Sequence, residues 1–185
     1  MSSTQKETTK GEPASKKHQQ QEATTAVPPD NSIGKEHELL KSTVGKWQVD
    51  CLFIMGGQEM KEVGHVEREM VIGGRFLRET FKCSFGGQPF EGEMMLGFFE
   101  GVFQSTWCDT SSNHLYIHTG KFVKGSTTDF ELGGEPFKDM MSGKLKTTRQ
   151  HHSIKSDKEF VCESYDTFLH DGVEKLSMRL TYRRV

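Results

Sequence analysis

The sequence predicts an all-β protein, a single antiparallel up-and-down barrel of about ten strands with a short N-terminal helix and a disordered polar tail. Three observations predict it. From Gly45-Lys46-Trp47 onward, apolar and polar residues alternate over about 140 residues. Glycine pairs and single glycines break that alternation at short intervals. No segment after Trp47 keeps a helical period long enough to serve as a crossover between parallel strands.

Residues 1–32 form the predicted tail and residues 33–185 the barrel domain. The tail is rich in Ser, Thr, Lys, Gln and Glu, and through Asp30 its apolar residues are Met1, Ala14, Ala23, Ala26 and Val27. Such a segment buries too little apolar surface to offset the entropy of ordering it. It has no apolar core of the secretory kind, and a transit peptide would be poor in acids, whereas Glu7, Glu12, Glu22 and Asp30 are all here. No later apolar run approaches the ~20 residues that span a bilayer, so the chain reads as cytoplasmic. The net charge is −2, with 24 basic and 26 acidic side chains. That balance excludes the basic surplus of a nucleic-acid binder.

Between Ser32 and Val44, Leu39, Leu40 and Val44 share one face at helical spacing, with Glu36, Glu38 and Lys41 outside it. Asn31 or Ser32 can cap the start of this helix, and Gly45 suits the residue just past its end. The period then drops to two. Trp47, Val49, Cys51, Phe53 and Met55 alternate with more polar neighbours until Gly56-Gly57, a hairpin signal. Further strands are predicted over Glu59–Met70, Arg75–Ser84, Pro89–Phe98, Val102–Asp109, His114–Val123, Thr127–Leu132, Lys144–Ser153, Glu159–Leu169 and Val173–Tyr182. Connections this short favour a closed meander, since closure removes unpaired edges. The four cysteines lie apart within these strands with no Cys-x-x-Cys, which reads as reduced, half-buried thiols.

Several residues invite a chemical reading. His114 and His118 are four apart, but four strand residues span roughly 13 Å, too far to share a metal. His151 and His152 are adjacent and point to opposite faces. Polar strand histidines facing water are therefore expected. Lys144–Ser153 and Glu159–Leu169 should pair, bringing Arg149 near Asp166, Tyr165 or Glu163 as a cross-strand ion pair. The alternative is an inward Arg149 that receives an anionic ligand, and His151 would then face inward too. Phe53, Phe90, Met94, Phe98 and Trp107 supply an apolar lining of the kind that accepts ligands of loosely defined shape. No phosphate-cradling glycine loop, Gly-x-Ser-x-Gly or His-Glu-x-x-His is present.

The chain resembles the family of domains of unknown function numbered 1579. The resemblance rests on Glu36-His37-Glu38-Leu39-Leu40 running into Val44-Gly45-Lys46-Trp47, and on Ile72-Gly73-Gly74-Arg75-Phe76-Leu77. It continues through Gly87-Gln88-Pro89-Phe90-Glu91-Gly92, Ser105-Thr106-Trp107 and Leu180-Thr181-Tyr182-Arg183, covering residues 35–185. A departure lies between Gly97 and Trp107, where relatives carry a longer polar turn and access to the interior would change if that hairpin bordered the barrel mouth. The family is similar in turn to the calycins, which include lipocalins, fatty-acid-binding proteins and nitrobindins.

The calycin resemblance implies that the Trp47 indole packs against an arginine of the last strand, Arg179 or Arg183, and plugs the closed end. It implies a small apolar or amphipathic molecule as the bound partner, held without catalysis and without a cofactor. Nitrobindins hold haem iron through one histidine inside a ten-stranded barrel, which makes a haem protein with redox or isomerase activity the alternative, with His151 as ligand. Against haem, nitrobindins open with Gly-x-Trp-x-Gly-x-Gly, whereas Gln48, Val49, Asp50 and Cys51 follow Trp47 here. A third reading is a structural or partner-binding barrel with a solid core. The sequence leaves the oligomeric state open, a homodimer included.

Overall fold

The structure is a computed structural model and describes residues 30–185. The disordered tail expected over 1–32 falls almost wholly outside the described residues. Helix α1 spans Lys35–Ser42 and starts two residues later than the predicted cap, at Gly34. Gly34 has no side chain to cap with, and instead its own N–H donates to His37 Nδ1 at 3.2 Å. His37 and Leu40, three residues apart, are the buried residues of the helix.

Eleven strands follow: β1 (Gly45–Met55), β2 (Gln58–Val71), β3 (Phe76–Phe85), β4 (Gln88–Phe99), β5 (Val102–Asp109), β6 (Tyr116–Phe122), β7 (Asp129–Gly134), β8 (Phe137–Lys138), β9 (Leu145–Ile154), β10 (Glu159–Phe168) and β11 (Glu174–Arg184). β1 to β7 pair in sequence order, β7 pairs with β9, β9 with β10, β10 with β11, and β11 returns to β1. All these pairings are antiparallel, so ten strands close a barrel, as the alternation predicts. The two-residue β8 lies outside the ring against the start of β9, where Phe137 pairs with Lys146. It is the one strand the alternation does not announce, because two residues carry no period.

Gly56-Gly57 and Gly86-Gly87 make two-residue turns with φ near +58° and +82° at both sites. Positive φ at both central residues is what a tightly twisted hairpin needs, and glycine adopts it without a Cβ clash. These turns and the connections after β5, β7 and β10 gather at one end, the mouth. The 72–75, 100–101 and 155–158 connections gather with α1 at the other. The short β4–β5 hairpin therefore lies at the closed end and does not border the mouth.

Trp47, 1% exposed, plugs that closed end. Its Nε1 donates to the Thr43 carbonyl at 2.9 Å and its ring meets Phe160 edge-on at 4.8 Å. The arginine over the indole is Arg184, 4.3 Å from the ring centroid, and neither Arg179 nor Arg183. Alternation decides this: Arg184 shares the inward phase of Leu180 and Tyr182 and lies opposite Trp47 in register. Arg179 and Arg183 point outward, to Glu163 and Asp50. The Arg184 guanidinium also donates to the carbonyls of Val44 and Ser42 at 2.6 and 2.8 Å, tying the end of α1 to the last strand.

The interior holds two apolar clusters. One gathers Trp47, Val49, Cys51, Val66, Phe81, Phe160, Leu180 and Tyr182, and the other Leu40, Leu77, Met94, Leu96, Phe103, Phe130 and Leu132. Trp107 touches both, and it lies flat against Gly92 of the neighbouring strand. A Cβ at Gly92 would come within 2.2 Å of Trp107 Cζ2. Gly92→Ala is therefore expected to displace the indole, shift its emission and lower stability by about 1–3 kcal/mol in denaturant unfolding. Unchanged emission and unchanged stability would contradict this packing.

Candidate functional site

Between the mouth and the plugged end the barrel encloses a cavity of about 270 Å³. That is just below the ~300–1,000 Å³ of typical small-molecule sites, so the ligand it suits is small. Phe53, Phe81, Phe90, Met94 and Trp107 wall one side, and Met178, Leu180 and Tyr182 another. Inward alternation puts them there: each sits in the same phase as a fully buried residue of its strand, such as Val49 on β1 or Leu96 on β4. Near the mouth, Trp107 Nε1 donates to Asp109 Oδ2 at 2.8 Å, which fixes the indole that faces the cavity.

The remaining wall is polar. Arg68 and Glu79, 5% and 3% exposed, lie opposite each other on β2 and β3. Arg68 Nε and Nη2 approach Glu79 Oε2 at 2.6 and 2.5 Å. Tyr182 Oη donates to Glu79 Oε1 at 3.3 Å, and the Arg68 guanidinium stands 3.9 Å over the Phe160 ring. Each charge thus has a partner on more than one strand, which a buried ion requires. Opposite them lie His118, Gln150 and His152. His152 stacks on Phe130 at 4.7 Å, and its Nε2 lies 3.4 Å from Gln150 Oε1 and 3.8 Å from Cys162 Sγ.

Burial sets the protonation of these groups. It depresses His152 to about 3, helped by the nearby Arg68 charge, and it lowers His118 as well. Both imidazoles are neutral at pH 7. Burial likewise pushes the Cys162 and Cys51 thiols up to about 12, which leaves them protonated and poor nucleophiles. Among the described residues, two buried side-chain atoms have no hydrogen-bond partner: His118 Nδ1 and Ser164 Oγ. Ser164 sits opposite Gln150 in register, beside the same polar wall.

Of the residues expected to line a ligand site, Phe53, Phe90, Met94 and Trp107 face the cavity. Phe98 also points inward, but it packs on Phe103 and Phe122 near the closed end, below the cavity. Arg149 and His151 lie on the outer face. Arg149 is held by Glu174 and Glu131 at 2.8 Å and lies over Tyr165 at 4.5 Å. Arg149 is thus ion-paired across strands, but to acids of β7 and β11 and not to the expected Asp166 or Glu163 of β10. His151 Nδ1 sits 3.4 Å from Glu131.

The inward residues of β9 are their neighbours Gln150 and His152, because Cys162 and Phe160 on β10 set the phase by pairing with His152 and Ile154. His118 is also inward, so the expectation of water-facing histidines fails for His118 and His152. A haem held by His151 does not fit, since that side chain is outside the barrel. Among the described residues, no group of three or more His, Cys, Asp and Glu is disposed to hold a metal ion.

Sequence reasoning passed over Arg68 and Glu79, although a signal was present. Val66, Arg68 and Met70 share one phase on β2, and Leu77, Glu79 and Phe81 share one on β3, so each strand carries a charge on its apolar face. At the mouth, Lys146 Nζ lies 2.7 Å from Asp166 and 3.1 Å from Asp139, joining the loop after β8 to β10.

A closed ten-strand barrel with a plugged end and a lined cavity defines a class of β-barrel rather than an activity. Residues 32–184 match the family model described as Protein of unknown function (DUF1579), and the chain belongs to that family. In fold it is similar to the crystal structure of Rv2717c from M. tuberculosis, at 13% sequence identity and a TM-score of 0.64, covering 83% of this chain and 99% of that one. A comparison with curated proteins finds no match. Among the described residues, no helix is long and apolar enough to cross a membrane.

The two buried histidines give the barrel a pH signature. Unfolded, each binds a proton near its ordinary pKa of ~6.5. Folded, His152 stays neutral down to about pH 3, and burial lowers His118 in the same direction. The unfolded state therefore binds more protons as pH falls through 6.5, and stability present above that pH is lost below it. Each histidine contributes a slope of about 1.4 kcal/mol per pH unit until its folded pKa is reached. Between pH 6.5 and 5, above the carboxylate range, the denaturation midpoint should fall, and less steeply in His152→Gln. Equal slopes in the variant and the parent would contradict a neutral buried His152.

Proposed function

We propose that the protein binds or carries a small apolar or amphipathic molecule in the barrel lumen, without catalysis. The observation that carries this reading is the cavity of about 270 Å³ between an aromatic and Met wall and the His118–Gln150–His152 wall. Apolar surface supplies affinity there and a few polar groups orient the ligand, the usual division of labour in small-molecule sites. The Cys162 thiol stands 3.8 Å from His152, but burial pushes that thiol up to about 12 and keeps it protonated, and the imidazole beside it is neutral and hydrogen-bonded to Gln150. The likeness to calycin barrels supports the same reading through the Trp47 plug, which leaves the mouth as the route for a ligand.

The test uses diphenylhexatriene, an uncharged fluorescent hydrocarbon, with Trp107 emission as the donor signal. Binding should quench Trp107 and enhance the probe. Met94→Trp, which fills the cavity opposite Trp107 in register, should weaken binding about tenfold or more while the barrel still unfolds cooperatively. Absence of binding to the parent protein, or full binding by a folded Met94→Trp, would favour a solid-core structural barrel.

A further inference from the structure

We propose that the lumen selects an uncharged ligand bearing a hydroxyl group, received at His118 Nδ1, and rejects the matching carboxylate. This rests on the small-molecule reading above and specifies its ligand class. The charge inventory of the lumen carries the first half. Among the residues lining the cavity Arg68 is the one Lys or Arg, and Lys146 stands nearer the mouth. Arg68 is engaged by Glu79 at 2.5 Å, and Lys146 is engaged by Asp166 and Asp139 at 2.7 and 3.1 Å. Asp109 adds another carboxylate beside the cavity, bonded to the Trp107 indole and to Ser111.

Arg68 thus shares the cavity lining with two carboxylates, Glu79 and Asp109, and both Arg68 and Lys146 keep their acid partners. A ligand carboxylate entering here would be desolvated with no free positive charge to meet it, which is costly. Arg149, the arginine that could have served in fatty-acid-type recognition, is outside and paired to Glu131 and Glu174.

The second half comes from the unsatisfied atoms. Buried polar atoms almost always have partners, and one without a partner marks a place where something else binds. His118 is 5% exposed, lines the cavity and leaves Nδ1 unpartnered. A hydroxyl both donates and accepts, so it satisfies Nδ1 in either neutral tautomer. The aromatic wall opposite then receives the apolar remainder of the molecule.

The experiment compares 1-octanol with octanoate by titration calorimetry on the full chain at pH 7.5, alongside diphenylhexatriene binding. Octanol is expected to bind about tenfold or more tightly than octanoate. His118→Phe should weaken octanol about tenfold more than it weakens diphenylhexatriene. His118→Gln, which keeps a hydrogen-bonding group, should retain octanol within a few-fold and guards against a folding defect in the Phe variant. If diphenylhexatriene binds but octanoate equals octanol, or if His118→Phe keeps full octanol affinity, the selectivity proposal is overturned and the ligand-binding reading stands. If none of the three binds, both are overturned.

Discussion

Arg68 and Glu79 place two full charges inside a barrel whose walls at that depth are largely apolar, and each is viable because the other is there. Their contacts reach across four strands: the ions themselves on β2 and β3, the Phe160 ring on β10 and the Tyr182 hydroxyl on β11. β11 is also the strand that closes the barrel on β1. A one-residue slip of β2 or β3 would turn one charge out and leave the other buried alone, a change worth several kcal/mol. The pair adds little net stability over an apolar pair of the same size. Its consequence is that strand phase near the closing seam has one acceptable setting.

The lumen takes its character from that constraint. Below the pair, Trp47, Phe160 and Arg184 seal the closed end, with Arg184 also holding the carbonyls at the end of α1. Above it, the cavity has an aromatic side and a polar side whose imidazoles stay neutral because they are buried, His152 also because Arg68 is near. At the mouth the same device recurs in a half-buried form, with Lys146 between Asp139 and Asp166. Arg68 and Lys146, each paired with acids, are not reserved for an anionic guest.

Much of this was legible in the sequence, for definite reasons. The ten ring strands are long enough to display period two, and the paired glycines mark hairpins that require positive φ. Trp47 announced the plug, and the inward phase of β4 was readable from Phe90, Met94, Leu96 and Phe98. The phase of β9 was not readable. Thr147, Thr148, Arg149, Gln150, His151, His152 and Ser153 offer no apolar marker, so only pairing with Phe160 and Cys162 decides which histidine turns inward. The arginine over Trp47 was misread by one residue because Arg183 and Arg184 are adjacent and strand phase alone separates them. His118 was masked by Ile117, an apolar residue that the fold leaves exposed. The cavity depends on where ten strands converge, which no local pattern encodes.

The measurement that bears most directly on this picture is a double-mutant cycle at the buried pair, with Arg68→Met, Glu79→Leu and the combined variant unfolded in denaturant at pH 7.5. Each single change leaves one charge buried without its partner and should cost about 3–5 kcal/mol. The combined change should restore most of that loss, giving a coupling energy of several kcal/mol. Single variants with near-parental stability, or costs that simply add in the double, would contradict the claim that this pair fixes the packing of the barrel interior.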